Sequence, residues 1–252
     1  IVVNYKIENK SLLKKQTYFL LKNSIEIFNK LNKDEHLLKL EIMESILFRP
    51  FGPSMLKAKL PEDVLSTLIN KSDEQLNNPE LAKKYDWSEH LAGNVQKEVR
   101  FPKNWLNSEE ASSFSKFIIK ETTKYLEDPV VSSFFPKSKH PFNSINLSSA
   151  WIVSQWAGDF NPTHFHDGML SGVCYLKMPD MKPELEKEDH TPSCGRITWL
   201  NGTPVNLNFH KYEELPEVGD FFIFPSWLMH VVYPFRTPDT ERRSVSFNLY
   251  LS

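Results

Sequence analysis

Residues 158–168 read Gly158-Asp159-Phe160-Asn161-Pro162-Thr163-His164-Phe165-His166-Asp167-Gly168, with two histidines one residue apart. In an extended chain, residues two apart share a face. His164 and His166 can therefore aim two imidazoles at one point. A third histidine, His230, comes much later, in Phe224-Pro225-Ser226-Trp227-Leu228-Met229-His230. Two ligands from one strand and a third from a distant strand are how a barrel gathers three ligands on one face of a metal. Imidazole suits Fe, Zn, Cu or Ni, and open positions opposite suit Fe(II) oxygen chemistry. Taken alone, the pair also reads as two histidines satisfied at a strand edge, since short motifs often match by chance. His36, His90, His140, His190 and His210 show no such pairing and read as surface or loop residues.

Around this stretch the texture is that of strands. Ile145–Trp156, Gly168–Lys177, Arg196–Leu200, Asp220–Phe224, His230–Tyr233 and Arg242–Leu251 are short aromatic or β-branched runs separated by Pro, Gly, Asn and Asp. Strands at such spacing, with no helix between them, predict a sandwich or barrel. Lys182–Asp189 is charged and contains proline, as an exposed loop would. With 18 Phe, 17 Pro and only 8 Gly, the composition fits β-structure joined by stiff loops.

The N-terminal part is different. Leu12, Leu13, Tyr18, Leu20, Leu21, Ile25, Ile27, Phe28 and Leu31 recur at helical steps among Lys and Glu, and a second helix is expected from Glu35 to Leu47. Arg49-Pro50-Phe51-Gly52-Pro53 breaks the chain. Ser54–Leu60 then alternates like a strand, and Pro61-Glu62-Asp63 opens a helix to about Ser72. Residues 73–104 read as polar and irregular. Ser108 is a candidate N-cap for a helix to about 126, with Phe114, Phe117, Ile118, Ile119 and Tyr125 on its apolar stripe.

At 252 residues the chain has room for one large domain or two small ones. Lys plus Arg is 30 and Asp plus Glu is 32, a formal net charge of −2, which gives no support for a broad nucleic-acid face. No GxGxxG or GxxxxGK[ST] motif provides a phosphate cradle. Cys174 and Cys194 form no disulfide framework, and reduced thiols in a cytoplasmic protein are the simpler expectation. No apolar run is long enough to span a membrane, and the opening IVVNYKIENK is too short and polar for a signal peptide.

Four motifs in order carry a resemblance. They are His164-Phe165-His166; Ser171-Gly172-Val173-Cys174-Tyr175-Leu176; Gly219-Asp220 through Phe224-Pro225-Ser226 to His230; and Glu241-Arg242-Arg243-Ser244-Val245-Ser246-Phe247-Asn248. Together they resemble the 2-oxoglutarate- and Fe(II)-dependent oxygenases, in a prolyl-hydroxylase-like branch known from phages and bacteria. The resemblance covers roughly 48–252 and is dense over 145–252. It implies a double-stranded β-helix, or jelly roll. The fold expectation is thus mainly β with flanking helices (α+β), with a helical extension at 1–47 and the oxygenase domain at 48–252. It also implies His164 and His230 as first and last metal ligands, and 2-oxoglutarate chelating Fe(II) near one open end of the barrel. Arg242 would hold the far carboxylate of 2-oxoglutarate, assisted by Ser244 and Tyr175. The arginine has a physical reason of its own: a guanidinium pairs bidentately with a carboxylate, and lysine does not reproduce that geometry. Arg243 should point to the other face.

One departure is visible. The wider family places Asp or Glu at the second ligand position, and this chain has His166 there. Asp167 is one residue off and faces away in a regular strand, although a bulge would redirect it. Trp227 reads as core or site wall. Trp151, Gln155 and Asn248 lie near the presumed mouth, as substrate contacts or as packing.

The resemblance implies an oxygenase that takes Fe(II), 2-oxoglutarate and O2, releases succinate and CO2, and hydroxylates an unidentified small molecule or peptide side chain. One alternative is a cupin-like three-His dioxygenase that does not use 2-oxoglutarate. Another is a non-catalytic jelly-roll binding module. An oligomer contact is one role open to the N-terminal helices. Neither nucleic acid nor a membrane is expected as a partner.

Overall fold

The computed structural model describes residues 45–90, 95, 97–135, 144–181 and 193–252. The helices expected before residue 45, the loop at 182–189, and His36, His140 and His190 lie outside the described residues. A compact unit runs from Glu44 to Ser252.

Two antiparallel sheets build it. Strands β1 (Ile46–Phe48), β2 (Met55–Lys59), β3 (Lys97–Arg100), β4 (Ile145–Gln155), β6 (Leu170–Lys177), β9 (Asp220–Pro225) and β11 (Arg242–Leu251) form a seven-stranded sheet in the order β1-β2-β9-β6-β11-β4-β3. Strands β5 (Asn161–His164), β7 (Ile197–Leu200), β8 (Lys211–Glu214) and β10 (Met229–Val232) form a four-stranded sheet, ordered β5-β10-β7-β8. This is a jelly roll, as expected. The six strand runs read from the sequence match β4, β6, β7, β9, β10 and β11.

Period-two alternation divides each central strand between two cores. On β11, Val245, Phe247 and Leu249 turn outward to the helices, as do Ile152 on β4 and Phe221 and Ile223 on β9. Helices α1 (Glu62–Asn77) and α4 (Ser112–Glu127) cover that face; the shorter α2 (Pro79–Lys84), α3 (Lys103–Leu106) and α5 (Pro129–Ser133) lie between or after them in the chain. Val173, Tyr175, Phe222 and Phe224 turn inward, where Trp199 and Ile197 of the smaller sheet meet them. Burial on both faces explains why β6 and β9 read as nearly continuous apolar runs.

Several local readings are corrected. Ile46 and Leu47 lie in β1, paired with Lys57 and Leu56, not at the end of a helix. The first helix of the unit runs on to Asn77, and the stretch expected to be irregular contains α2, α3 and strand β3. Ser108 does not cap α4; its hydroxyl donates to Trp105 O, and the helix begins only at Ser112. Ile119 is exposed, whereas Phe114, Phe117, Ile118 and Tyr125 are buried.

Gly172 is required where β6 crosses the core. A Cβ there would sit 2.1 Å from Phe247 Cζ and 2.6 Å from the Phe222 carbonyl oxygen. The carbonyl belongs to the neighbouring strand and cannot swing aside. Gly172→Ala is expected to cost about 1–3 kcal/mol through overpacking, seen as a fall in Tm of at least several degrees. An unchanged Tm would mean that the strands separate freely at this point.

Candidate metal centre

The structure brings His164, His166 and His230 together, with one potential ligand atom from each lying within 4.8 Å of the others. His164 ends β5 and stands in register with His230 on β10. His166 lies just beyond the strand, where its backbone N–H donates to Ser226 O. The ring centroids are 4.3 Å apart for His164 and His230, and 5.0 Å for each of the other two pairs.

Hydrogen bonds on the far sides of the rings orient two of them. His164 Nδ1 lies 2.7 Å from Pro162 O, and His230 Nδ1 lies 3.0 Å from Leu228 O. A carbonyl only accepts, so both Nδ1 atoms carry the proton. Each Nε2 is left with a lone pair, as a metal requires of imidazole. Burial, the largest cause, lowers all three histidine pKa values; for His166 and His230 a second cause is repulsion from neighbouring histidines. His166 is lowered to about 3, and the cluster is neutral at pH 7.

The donors fit a metal. His166 Nε2 and His230 Nε2 are 3.2 Å apart. Nitrogens bound at about 2.1 Å lie about 3.0 Å apart when the bonds meet at right angles and about 3.4 Å apart at the tetrahedral angle. Asp167 is exposed and outside the cluster. No bulge turns it inward, so the three imidazoles make a donor set with no charge.

These histidines line a cavity between the sheets of about 40 Å³ that opens to solvent. Trp151, Val153 and Gln155 of β4, Ser244 and Ser246 of β11, and Val173 and Tyr175 of β6 share its wall. Ser244 is in register with Tyr175 on one side and Val153 on the other. Burial pushes the Tyr175 phenol well above its usual range, so it remains a neutral donor.

Arg242 lies behind this wall, 1% exposed. Its Nε donates to Gln155 Oε1 (3.0 Å), Nη1 to Gly195 O (2.9 Å) and Nη2 to Tyr233 O (3.0 Å). Each terminal nitrogen keeps one further N–H. No carboxylate among the described residues forms an ion pair with it. Burial lowers its pKa to about 10, with the nearby Tyr175, Cys194 and the Asp159 carboxylate acting in the opposite direction, so it is charged at neutral pH. Arg243 faces the other way, as expected, and pairs with Asp73 and Glu241.

Trp227 is not part of the site. It is 57% exposed and lines an outer groove. Asn248 accepts from Ser171 Oγ and does not line the cavity. Neither Cys174 nor Cys194 is in a disulfide among the described residues. Among the described residues no helix is long and apolar enough to cross a membrane.

Sequence reading missed Glu98. It sits on β3 opposite Val153, 3% exposed, and lines the same cavity. Asn161 Nδ2 donates to it over 3.5 Å, and Gln155 Nε2 donates in turn to Asn161 Oδ1 at 2.8 Å. Burial raises its pKa to about 7, with the Asn161 bond opposing and Asp86 reinforcing the rise.

The pH dependence of the metal-free protein follows. Unfolded histidines take up protons near pH 6.5 while the buried ones resist, so their contribution to stability is lost as pH falls from about 6.5 toward 3. Glu98 acts in the opposite sense. Its folded value is raised above the 4.5 of the free group. Its contribution is full below pH 4.5 and is lost as pH rises to about 7. Glu98→Gln should therefore steepen the rise in stability between pH 4.5 and 6.5. At pH 7.5 it should add about 2–3 kcal/mol in chemical denaturation. No gain at pH 7.5 would show that the carboxylate is ionised there without cost.

No curated protein matches the chain. Among solved structures, a Pseudomonas putida prolyl-4-hydroxylase is 13% identical, with 84% of this chain and 95% of that one covered and a TM-score of 0.48. The viral collagen prolyl hydroxylase of Paramecium Bursaria Chlorella virus-1 is 16% identical, with 77% and 94% covered and a TM-score of 0.45. A Trichoplax adhaerens prolyl hydroxylase is 13% identical, with 88% and 92% covered and a TM-score of 0.43. Residues 149–248 match the family model described as "Putative 2OG-Fe(II) oxygenase". That span holds the three clustered histidines, Tyr175, Arg242 and Ser244. Over residues 149–248 the chain is therefore similar to the 2OG-Fe(II) oxygenases, a family whose cofactors are Fe(II), 2-oxoglutarate and O2.

Proposed function

We propose that the protein hydroxylates a C–H bond of its substrate and consumes one 2-oxoglutarate and one O2 for each hydroxyl formed, releasing succinate and CO2. His164, His166 and His230 hold the iron. Arg242, Tyr175 and Ser244 hold the far carboxylate of 2-oxoglutarate. The observation that carries this reading is Arg242, a fully buried guanidinium that feels the Asp159 carboxylate but forms no ion pair with any described residue. Taking such a charge out of water is costly without an anion. A dicarboxylate in the adjoining cavity supplies one.

When bound, the iron supplies O2 activation and oxidative decarboxylation of 2-oxoglutarate. The protein's residues do the positioning. Carbonyls of Pro162 and Leu228 fix two imidazole tautomers, so the lone pairs face inward. Trp151, Val153, Val173 and Phe224 wall the cavity with apolar surface and restrict water. Tyr175 and Ser244 place hydroxyls in register on the wall nearest Arg242. The substrate is a peptide side chain or small molecule that enters the same cavity.

The test is succinate formation from 2-oxoglutarate with Fe(II) and O2, together with calorimetric binding of 2-oxoglutarate to anaerobic Fe(II)-loaded protein. Uncoupled turnover is expected even without the true substrate. If neither binding nor turnover appears, the proposal fails. Metal binding without 2-oxoglutarate binding would instead favour a cupin-like dioxygenase.

A further inference from the structure

Glu98 has no role in holding the metal or the cosubstrate as proposed above. It is 97% buried by its 3% exposure, and it faces the cavity from β3, at the edge of the seven-stranded sheet. Among the described residues its only side-chain hydrogen bond is the 3.5 Å contact from Asn161 Nδ2. Among the described residues no basic side chain pairs with it. Arg100, two residues along the strand, lays its guanidinium on the Trp87 ring at 4.6 Å instead. A buried carboxylate with one long hydrogen bond is costly unless another group meets it.

We propose that Glu98 is a substrate-recognition residue and that the substrate presents a cationic nitrogen, an ammonium or guanidinium, to it. This rests on the reading of the cavity as an oxygenase site. The 2-oxoglutarate carboxylates are taken up by the iron and Arg242. The imidazoles are neutral, and Tyr175, Ser244 and Ser246 offer only hydroxyls. Among the described residues Glu98 is then the one carboxylate on the cavity wall. A neutral substrate filling the cavity would desolvate Glu98 further and favour its protonated form. A cationic one forms a short, charge-assisted pair with it. The strand register also separates the tasks. Glu98, Val153, Ser244 and Tyr175 stand side by side across β3, β4, β11 and β6. Three strand spacings, roughly 14 Å in all, separate Glu98 from the proposed cosubstrate anchor at Tyr175. Asn161 bonds Glu98 from β5, the strand that ends at His164. A cation anchored at Glu98 therefore lies toward the histidine edge of the cavity.

The experiment compares N-acetyl-lysine methylamide and N-acetyl-arginine methylamide with the neutral N-acetyl-norleucine methylamide. Each is titrated by calorimetry into full-length protein loaded with Mn(II) and 2-oxoglutarate. At least one cationic probe is expected to bind tenfold or more tightly than the neutral probe, and Glu98→Gln should reduce that ratio to within threefold. Equal affinity of all probes for wild-type protein, no binding by any of them, or a ratio that survives in Glu98→Gln would overturn the proposal. The wild-type comparison needs no variant, and binding of 2-oxoglutarate is measured separately. Loss of that binding strikes the oxygenase reading; its presence without a cationic preference strikes only the role of Glu98.

Discussion

His230→Ala is expected to abolish succinate formation and to weaken Fe(II) or Mn(II) binding by more than about 100-fold, because groups that merely support metal ligands already contribute 10- to 100-fold. The side chain is 3% exposed, packed 5.1 Å from the Phe224 ring, and fixed by Leu228 O. It contributes one of three neutral nitrogens, and two imidazoles cannot substitute for three in a site with no carboxylate. The metal-free variant should still fold. Removing the ring opens a small cavity, which costs about 1–3 kcal/mol. It also removes a histidine nitrogen that lies 3.2 Å from His166 Nε2. Equilibrium dialysis under anaerobic conditions, with metal analysis, gives the affinity, and thermal melting of metal-free protein gives the stability. Trp227→Ala, changed at an exposed side chain three residues away, should keep wild-type metal affinity. If His230→Ala binds metal as tightly as wild type does, the three histidines are not the metal site.

The legible and illegible parts of this molecule divide on physical grounds. Strands β4, β6, β7, β9, β10 and β11 were readable because their central residues are largely buried, so aromatic and β-branched residues are dense in them. The strands that escaped notice are β1, β3 and β8, sequences Ile-Leu-Phe, Lys-Glu-Val-Arg and Lys-Tyr-Glu-Glu. All three lie at sheet edges; charged residues tolerated there hide β3 and β8, whereas the three apolar residues of β1 continue the periodicity of the helix expected to end at Leu47. Glu98 was hidden for that reason, since a Glu flanked by Lys97 and Arg100 reads as solvated surface. The histidine cluster was readable from spacing, although the reason given for it was only half right. His166 is not in the strand, yet it meets His164 in the same cluster. The side assigned to Arg242 followed from alternation along β11. The bonds that hold it, to Gln155 and to the carbonyls of Gly195 and Tyr233, join segments far apart in sequence. No local pattern announces them. Trp227 was misjudged because an aromatic between two site motifs suggests burial, whereas the turn that follows Pro225 swings it outward.

Arg242→Lys is expected to raise the 2-oxoglutarate concentration for half-maximal succinate formation by roughly 10- to 100-fold, the cost of one charge-assisted hydrogen bond at about 1.5–3 kcal/mol. Lysine keeps the charge and loses the planar fork. The more drastic Arg242→Ala confounds two effects. It removes the cation, and it strips donors from Gln155 Oε1, Gly195 O and Tyr233 O, each a buried acceptor costing about 1–3 kcal/mol when unsatisfied. Stability must therefore be measured beside affinity. The wild-type protein provides a converse check. A buried cation that gains its anion on binding makes 2-oxoglutarate stabilising, and at a hundred times Kd the gain is about 2.7 kcal/mol. For a domain of this size that is a rise in Tm of about 5–10 °C. Arg243→Lys is the matched control. Arg243 sits one residue on, faces the opposite way, and ties β11 to α1 through Asp73 and to Glu241. That change should lower Tm and leave the 2-oxoglutarate response in place. If Arg242→Lys binds 2-oxoglutarate like wild type while Arg243→Lys does not, the anchor lies on the other face of the sheet. If both respond like wild type, the buried guanidinium is structural and its counter-anion is something other than the cosubstrate.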